Sequence, residues 1–226
     1  MIDRLPFVRP FTPAGLRWRL VDSVIEGAGG LGTPTTRIST YGGGWWVAEF
    51  EQMKVASPEH HRAMRAMAMR LRGGVRIDVP FVELRPTGGL SPVPFGDGST
   101  FGDGSLFLSG EVGAILEEAV ALNDDTALIR ILTGHPLIGG DMFSIARPLD
   151  FGSGLYGTDR VEPLGDGVWS VTIGPQFRAA HPAGTVLNFN DPHCVMRLED
   201  PEGSMWPRLT RGWHGTASAR LVEAMT

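Results

Sequence analysis

The chain has 226 residues and a formal charge of −5, enough length for one large domain or two small ones, and its 42% hydrophobic and 20% charged residues exclude wholesale disorder. Gly and Pro number 31 and 17, about a fifth of the chain against roughly an eighth in average usage and without a three-residue period, which excludes collagen and long helical bundles. The cations are 19 Arg and a single lysine, Lys54, with no basic footprint of the kind that tracks nucleic acid.

Many glycine and proline turns imply many short elements, hence a β-rich architecture. The first strand signal is residues 16–20, where Leu16, Trp18 and Leu20 alternate with Arg17 and Arg19. Residues 35–50 repeat the pattern on both sides of Gly42, Gly43 and Gly44, and are expected to form paired strands. Ser57, Pro58 and Glu59 supply an N-cap, a proline at the first helical position and an acid in the first turn. Met64, Met67, Ala68 and Leu71 follow at helical spacing, and Gly73 and Gly74 supply the stop, so the helix runs over 57–72. Val75, Ile77 and Val79 then alternate as a returning strand that Pro80 ends.

Residues 87–110 form a Gly/Pro-rich loop containing a tandem repeat, Phe-Gly-Asp-Gly-Ser at 95–99 and again at 101–105. Residues 112–120 place apolar groups at helical spacing, but Gly113 weakens a helix, and the element stays undecided. Strands are expected over 126–132, 142–145, 168–173, 185–189 and 195–198, and Gly165, Asp166 and Gly167 form a hairpin turn before the third of these.

The motifs that suggest chemistry are weak. Residues 27–32 match G-x-G-x-x-G, but Pro34 and the threonines around it stand where that fingerprint needs a helix N-terminus for the pyrophosphate. Asp97 and Asp103 of the repeat fit neither calcium-loop spacing, and a glycine-turn hairpin is the simpler reading. His60, His61 and the His193–Cys194 pair lack zinc-ligand spacing. Cys194 sits beside Val195 and Met196 in a strand pattern, the setting of an inert buried thiol. Glu117, Glu118, Asp124 and Asp125 read as solvated faces or turns. No catalytic, cofactor-binding or metal residue is therefore singled out, and the expectation is a chain without enzymatic activity or cofactor. A single cysteine cannot close an internal disulfide, and residues 1–6 carry charges and a proline where a signal peptide needs an apolar run. The expectation is a soluble protein made in the cytoplasm, with no membrane insertion.

The order of features resembles the distal tail proteins of long-tailed bacteriophages and related tail-tube-fold minor tail (baseplate) proteins. The matching stretches are residues 45–50, the polar linker into Ser57 and Pro58, the helix closing at 71–73, the strand at 75–79, residues 139–145, the run 171–184 and the run 192–198. Two departures stand out: residues 147–154 look like an insertion, and Gly157 lies where the family continues an apolar strand. The resemblance implies a mainly β (α+β) fold, a tail-tube-like β-sandwich or half-barrel with one packed helix, plus a second β-rich portion. It divides the chain into 1–86 (strands and helix of a tube-like ring domain), 87–110 (loop), 111–199 (β-rich portion of the same or a second domain) and 200–226 (a C-terminal arm).

That resemblance implies a structural virion protein at the tail tip, assembled in the host cytoplasm. Copies would close into a ring, a hexamer or a trimer, joining the tail tube protein to the baseplate hub and other tail-tip proteins. The tape-measure protein is a further candidate partner, and DNA would pass through the lumen only in transit. The alternative from a different class is a β-sandwich carbohydrate-binding or carbohydrate-active module in which Trp45, Trp46, Trp206 and Trp213 stack on sugars. The two readings place these tryptophans differently: an open groove suits a sugar reader, whereas core and subunit contacts suit a ring.

Overall fold

A computed structural model describes residues 13–21, 24–26, 37–39, 43–72, 74–81, 91–93, 107–109, 112–134, 136–147, 152–200, 206, 208–211 and 214–225. The fold is mainly β, as the composition indicates, with one α-helix among the described residues. The chain divides into two compact units: unit 1 is 1–79, 149–152 and 194–226, and unit 2 is 80–148 and 153–193.

Unit 1 is built on an open antiparallel sheet. Its strands run in the order β1 (Gly15–Val21), β4 (Trp45–Val55), β16 (His214–Glu223), β14 (His193–Leu198) and β5 (Ile77–Pro80), and β15 (Arg208–Arg211) pairs with β16. A separate pair joins β2 (Val24–Glu26) to β3 (Arg37–Ser39). Residues 35–50 therefore do not form a hairpin with one another: β3 pairs with β2, and β4 pairs with β1 through Leu16↔Phe50 and Leu20↔Trp46. Gly43 and Gly44, both at positive φ (63° and 85°), let the chain turn before β4.

Along β4, Trp46, Ala48 and Phe50 are buried, and so are Met53 and Val55. The even-to-odd switch comes from a bulge: Phe50 pairs with Ala219 and Met53 with Ala217, leaving Glu51 and Gln52 opposite Ser218. Gln52 takes φ 48° there, and its N–H donates to Ser218 Oγ at 3.1 Å. The extra residue keeps one continuous apolar face while the sequence alternation breaks.

Helix α1 (Pro58–Leu71) starts as its sequence dictates, with Ser57 Oγ accepting from the His60 N–H at 3.2 Å and Pro58 in the first turn. Its buried stripe is Met64, Met67, Ala68 and Leu71. Gly74, at φ 73°, follows the helix.

Residues 214–223 of the expected C-terminal arm pack into unit 1 itself. They form β16, the middle strand of the sheet, with Ala217, Ala219, Leu221 and Glu223 buried. Small residues and a buried acid hide this strand from a hydrophobic pattern, and its partner β4 lies far away in sequence.

Unit 2 is a closed six-stranded barrel in the order β10 (Met142–Ala146), β11 (Ser153–Gly165), β12 (Val168–Gly174), β9 (Thr126–Thr133), β8 (Gly113–Leu116) and β13 (Val186–Asn188), with β13 pairing back to β10. Strands β10, β11 and β12 are consecutive neighbours, and β9 lies beside β12, a Greek-key arrangement. A two-stranded pair, β6 (Ser91–Val93) and β7 (Phe107–Ser109), belongs to the same unit. The undecided stretch 112–120 is strand β8 followed by a bridge from Val120 to His181. Gly113 is needed there, because a Cβ would stand 2.7 Å from Thr133 Oγ1.

The turn at 165–167 is the hairpin expected, with φ of 97°, 51° and 75° at Gly165, Asp166 and Gly167. Gly157 lies inside the thirteen-residue β11, the longest strand among the described residues, which begins at Ser153. Its glycines are steric: a Cβ on Gly154 would meet Tyr156 Oη at 2.7 Å, and one on Gly157 would meet Met142 Sδ at 2.9 Å.

Candidate functional site

One face of the unit 1 sheet carries a ladder of alternating charge. Arg19 on β1 pairs with Glu49 on β4 (3.2 Å), Glu49 with Arg220 on β16 (3.2 Å), and Arg220 with Glu199 after β14 (2.9 Å). Exposed pairs contribute about 0–1 kcal/mol singly, but a shared network orders each side chain once for two contacts. The register sets the spacing, since Glu49 faces Arg220 directly across the strands. The partners lie far apart along the chain, so the sequence offered only the separate alternations that contain them.

Grooves open on unit 1 among the described residues. One, of about 420 Å³, is lined by Trp45, Gly74, Arg197, Leu198, Glu199, Val222, Glu223 and Met225. The register explains this grouping: Val47 pairs with Val222 and Val222 with Arg197, so Trp45, two residues before Val47, shares their face. Trp45 is 36% exposed. The buried Glu223 accepts the Trp46 backbone N–H at 3.2 Å. The second groove, about 470 Å³, lies beside the bulge and is lined by Pro13, Ala14, Gln52, Lys54, Val55, His214, Gly215 and Thr216.

At the side of the sheet, β1 pairs with β4 and meets no further strand among the described residues.

The barrel of unit 2 is filled. Phe143, Tyr156, Phe177 and Phe189 are essentially fully buried, with ring centroids 5.6 Å (Phe143–Tyr156), 5.1 Å (Phe143–Phe189) and 5.1 Å (Tyr156–Phe177) apart. Tyr156 Oη accepts the Arg178 N–H at 3.1 Å. His181 packs its ring edge-on to Phe177, and burial together with the nearby Arg147 pushes its pKa down. Asp141 is buried at the turn before β10, where it accepts the Ile138 N–H at 2.9 Å; burial pushes its pKa up, and the hydrogen bond opposes this.

The residues singled out from sequence are scattered. Glu117 makes a two-pronged contact with Arg130 (2.6 Å and 2.6 Å), which lowers the Glu117 pKa and raises that of Arg130, chiefly through the hydrogen bonds. Asp124 caps a turn by accepting from the Ala121 N–H at 2.6 Å. Cys194 is buried, His193 lies 3.5 Å from Asp191, and His60 sits in the first turn of α1. Residues 27–32, the repeat at 95–105 and Trp213 lie outside the described residues; the first of these stretches falls between β2 and β3, which pair antiparallel. Trp46 is in the core, Trp45 lines a groove, and Trp206 is 39% exposed.

Among the described residues no group of three or more His, Cys, Asp or Glu could hold a metal ion, and no helix is long and apolar enough to cross a membrane. No family model matches the chain, and no curated protein is significantly similar to it.

Proposed function

We propose that this chain is a non-enzymatic structural subunit of the ring at the distal end of a long-tailed phage tail, joining the tail tube to the baseplate hub around a channel for DNA. The observation that carries the reading is the open sheet of unit 1, with seven-residue β1 at its side and no further strand beyond it among the described residues. Head-to-tail pairing of such edges between copies generates a ring when the rotation closes, and it removes an aggregation hazard. The order of sequence features resembling the distal tail family supplies the identity of that ring. The charged ladder on one sheet face fits a surface kept wet, as a bore that DNA must traverse without sticking requires.

The test is the mass of the native protein by light scattering across a concentration series, followed by electron microscopy. A discrete multiple of 24.4 kDa, three or six copies, with a central pore is expected. A monomer throughout the series, and also when mixed with a tail tube protein, would overturn the reading.

A further inference from the structure

We infer that the exposed face of α1 is a docking surface for a second copy of this chain, receiving the acidic connection between β8 and β9 of that copy's unit 2. This goes beyond the ring reading, which uses the edge of the sheet, and it rests on different residues.

The chain's charge is divided unevenly between its units. Unit 1 carries 15 Arg and Lys against 12 Asp and Glu, a net of +3, whereas unit 2 carries 5 Arg against 13 Asp and Glu, a net of −8; together they make the −5 of the chain. Within unit 1, α1 and its C-cap hold Arg62, Arg65, Arg70 and Arg72 against one acid, Glu59, in the first turn. At about 100° per residue, Arg62, Arg65, Met69 and Arg72 fall within an arc of about 80°, outside the buried stripe of Met64, Met67, Ala68 and Leu71. All four are exposed, Met69 by 58%, and Arg62, Arg65 and Arg72 enter no ion pair among the described residues. Arginines set around an exposed methionine are the composition of a protein contact. A face that tracks nucleic acid depends on its cations, and here they are centred on an apolar side chain.

Unit 2 presents the complement. The connection from β8 to β9 holds Glu117, Glu118, Asp124 and Asp125 and no cation. Glu117 is engaged by Arg130 and Asp124 by the Ala121 N–H, whereas Glu118 and Asp125 are exposed and enter no ion pair among the described residues. Between them Leu122 is 57% exposed, so an apolar side chain flanked by acids answers Met69 flanked by arginines. The backbone fixes this connection: the Glu117 N–H donates to the Leu128 carbonyl at 2.8 Å, the Asn123 N–H to the Phe177 carbonyl at 2.9 Å and the Ile173 N–H to the Asp125 carbonyl at 2.8 Å. The acids are therefore presented in place, with little ordering left for binding to cost. One chain thus carries both halves of a charge-matched contact, which makes the occupant a second copy joined head to tail, the kind of contact that builds a ring where the rotation closes. Exposed ion pairs are individually weak and screened by salt, so the contact orients copies and responds to ionic strength.

The experiment is sedimentation of the full chain at ionic strengths of about 0.05 M and about 0.5 M, with circular dichroism to confirm that each variant folds. Arg62→Glu with Arg65→Glu, and separately Glu118→Arg with Asp125→Arg, should each weaken self-association about tenfold at low salt, because each turns attraction into like-charge repulsion. All four substitutions in one chain should restore it to within about threefold of the parent, since the charges match again with their signs exchanged. Independently of charge, Met69→Cys chains mixed with Leu122→Cys chains should form a mixed disulfide faster than Met69→Cys chains mixed with Leu164→Cys chains, whose thiol replaces an exposed leucine elsewhere on unit 2. A parent that does not self-associate, association indifferent to the paired reversals, a fourfold exchange that fails to restore it, or equal disulfide rates would overturn the proposal. So would Arg62→Glu with Arg65→Glu abolishing the binding of a double-stranded oligonucleotide while self-association persists, because the face would then serve nucleic acid. A pored ring insensitive to the reversals refutes this inference alone. Association rescued by the exchange but ending in dimers or open chains refutes the ring reading alone.

Discussion

Leu221→Ala is the sharpest probe of whether the C-terminal segment belongs to the fold. Leu221 is fully buried, pairs with Ala48 on β4 and with Leu198 on β14, and so stands at the centre of the sheet. Removing its outer three carbons forfeits their transfer free energy and leaves a cavity that cannot easily collapse, because hydrogen-bonded backbone fixes both flanks. Such truncations cost 2–5 kcal/mol, and with neighbours as small as Ala48 and Ala219 we expect about 3 kcal/mol. That is a large part of the roughly 5–15 kcal/mol available to a folded domain. Urea unfolding followed by far-UV circular dichroism should show the midpoint falling by about 1.5 M at a slope near 2 kcal/mol per M. Thr216→Ala, exposed on the same strand, is the control for the strand itself. A Leu221→Ala stability within about 0.5 kcal/mol of the parent would refute the placement of β16 at the centre of the sheet.

The remaining predictions concern unit 2. Gly139→Ala should destabilise by about 2 kcal/mol, since a Cβ would lie 2.6 Å from the Asp159 backbone oxygen, an overpacking contact that backbone cannot easily relieve. Gly140→Ala has open space but sits at φ 98°, and should cost about 1–2 kcal/mol through conformation alone; thermal unfolding of both variants checks the contrast. His181 has its pKa depressed below the ordinary 6.5, so the unfolded chain takes up a proton there before the folded one does. The stability of unit 2 should therefore fall as pH drops below about 6.5, and His181→Gln should flatten that slope in urea titrations. Asp141 has the opposite sign: its pKa is raised above 3.8, so its burial cost is present at neutral pH and is relieved as pH falls toward 3.8. Asp141→Asn should keep the acceptor for the Ile138 N–H and equal or exceed the parent in stability at pH 7, whereas Asp141→Ala should lose about 1–3 kcal/mol. The reverse order would disprove that account.

How much was legible in advance depended on how local each signal was. The helix was readable because Ser57, Pro58 and the Met64–Met67–Leu71 spacing act within the segment itself, and its observed span differs from the expected one only at the cap residues. Strands such as β9, β10 and β12 announced themselves by alternation, and the hairpin between β11 and β12 by its two glycines flanking an aspartate. The candidate groove was half legible: Trp45 was picked out as a possible sugar contact, but nothing placed Arg197 and Glu199 beside it. Residues 152 and 154 positions away along the chain meet Trp45 only through the pairing of β4, β16 and β14.

The sequence by itself determined the mainly β character and the single convincing helix, both of which follow from composition and short-range pattern. Tertiary structure alone decided that β4 pairs with β1 rather than β3, that unit 2 closes into a barrel, and that residues 214–223 form the middle of a sheet. It also decided that the glycines of β11 make room for Tyr156 and Met142 rather than breaking a strand. The physical reason is common to these cases. Strand pairing is a contest between distant edges settled by burial and register, and a glycine, a small residue or a buried acid is explained only by the neighbour that closes over it.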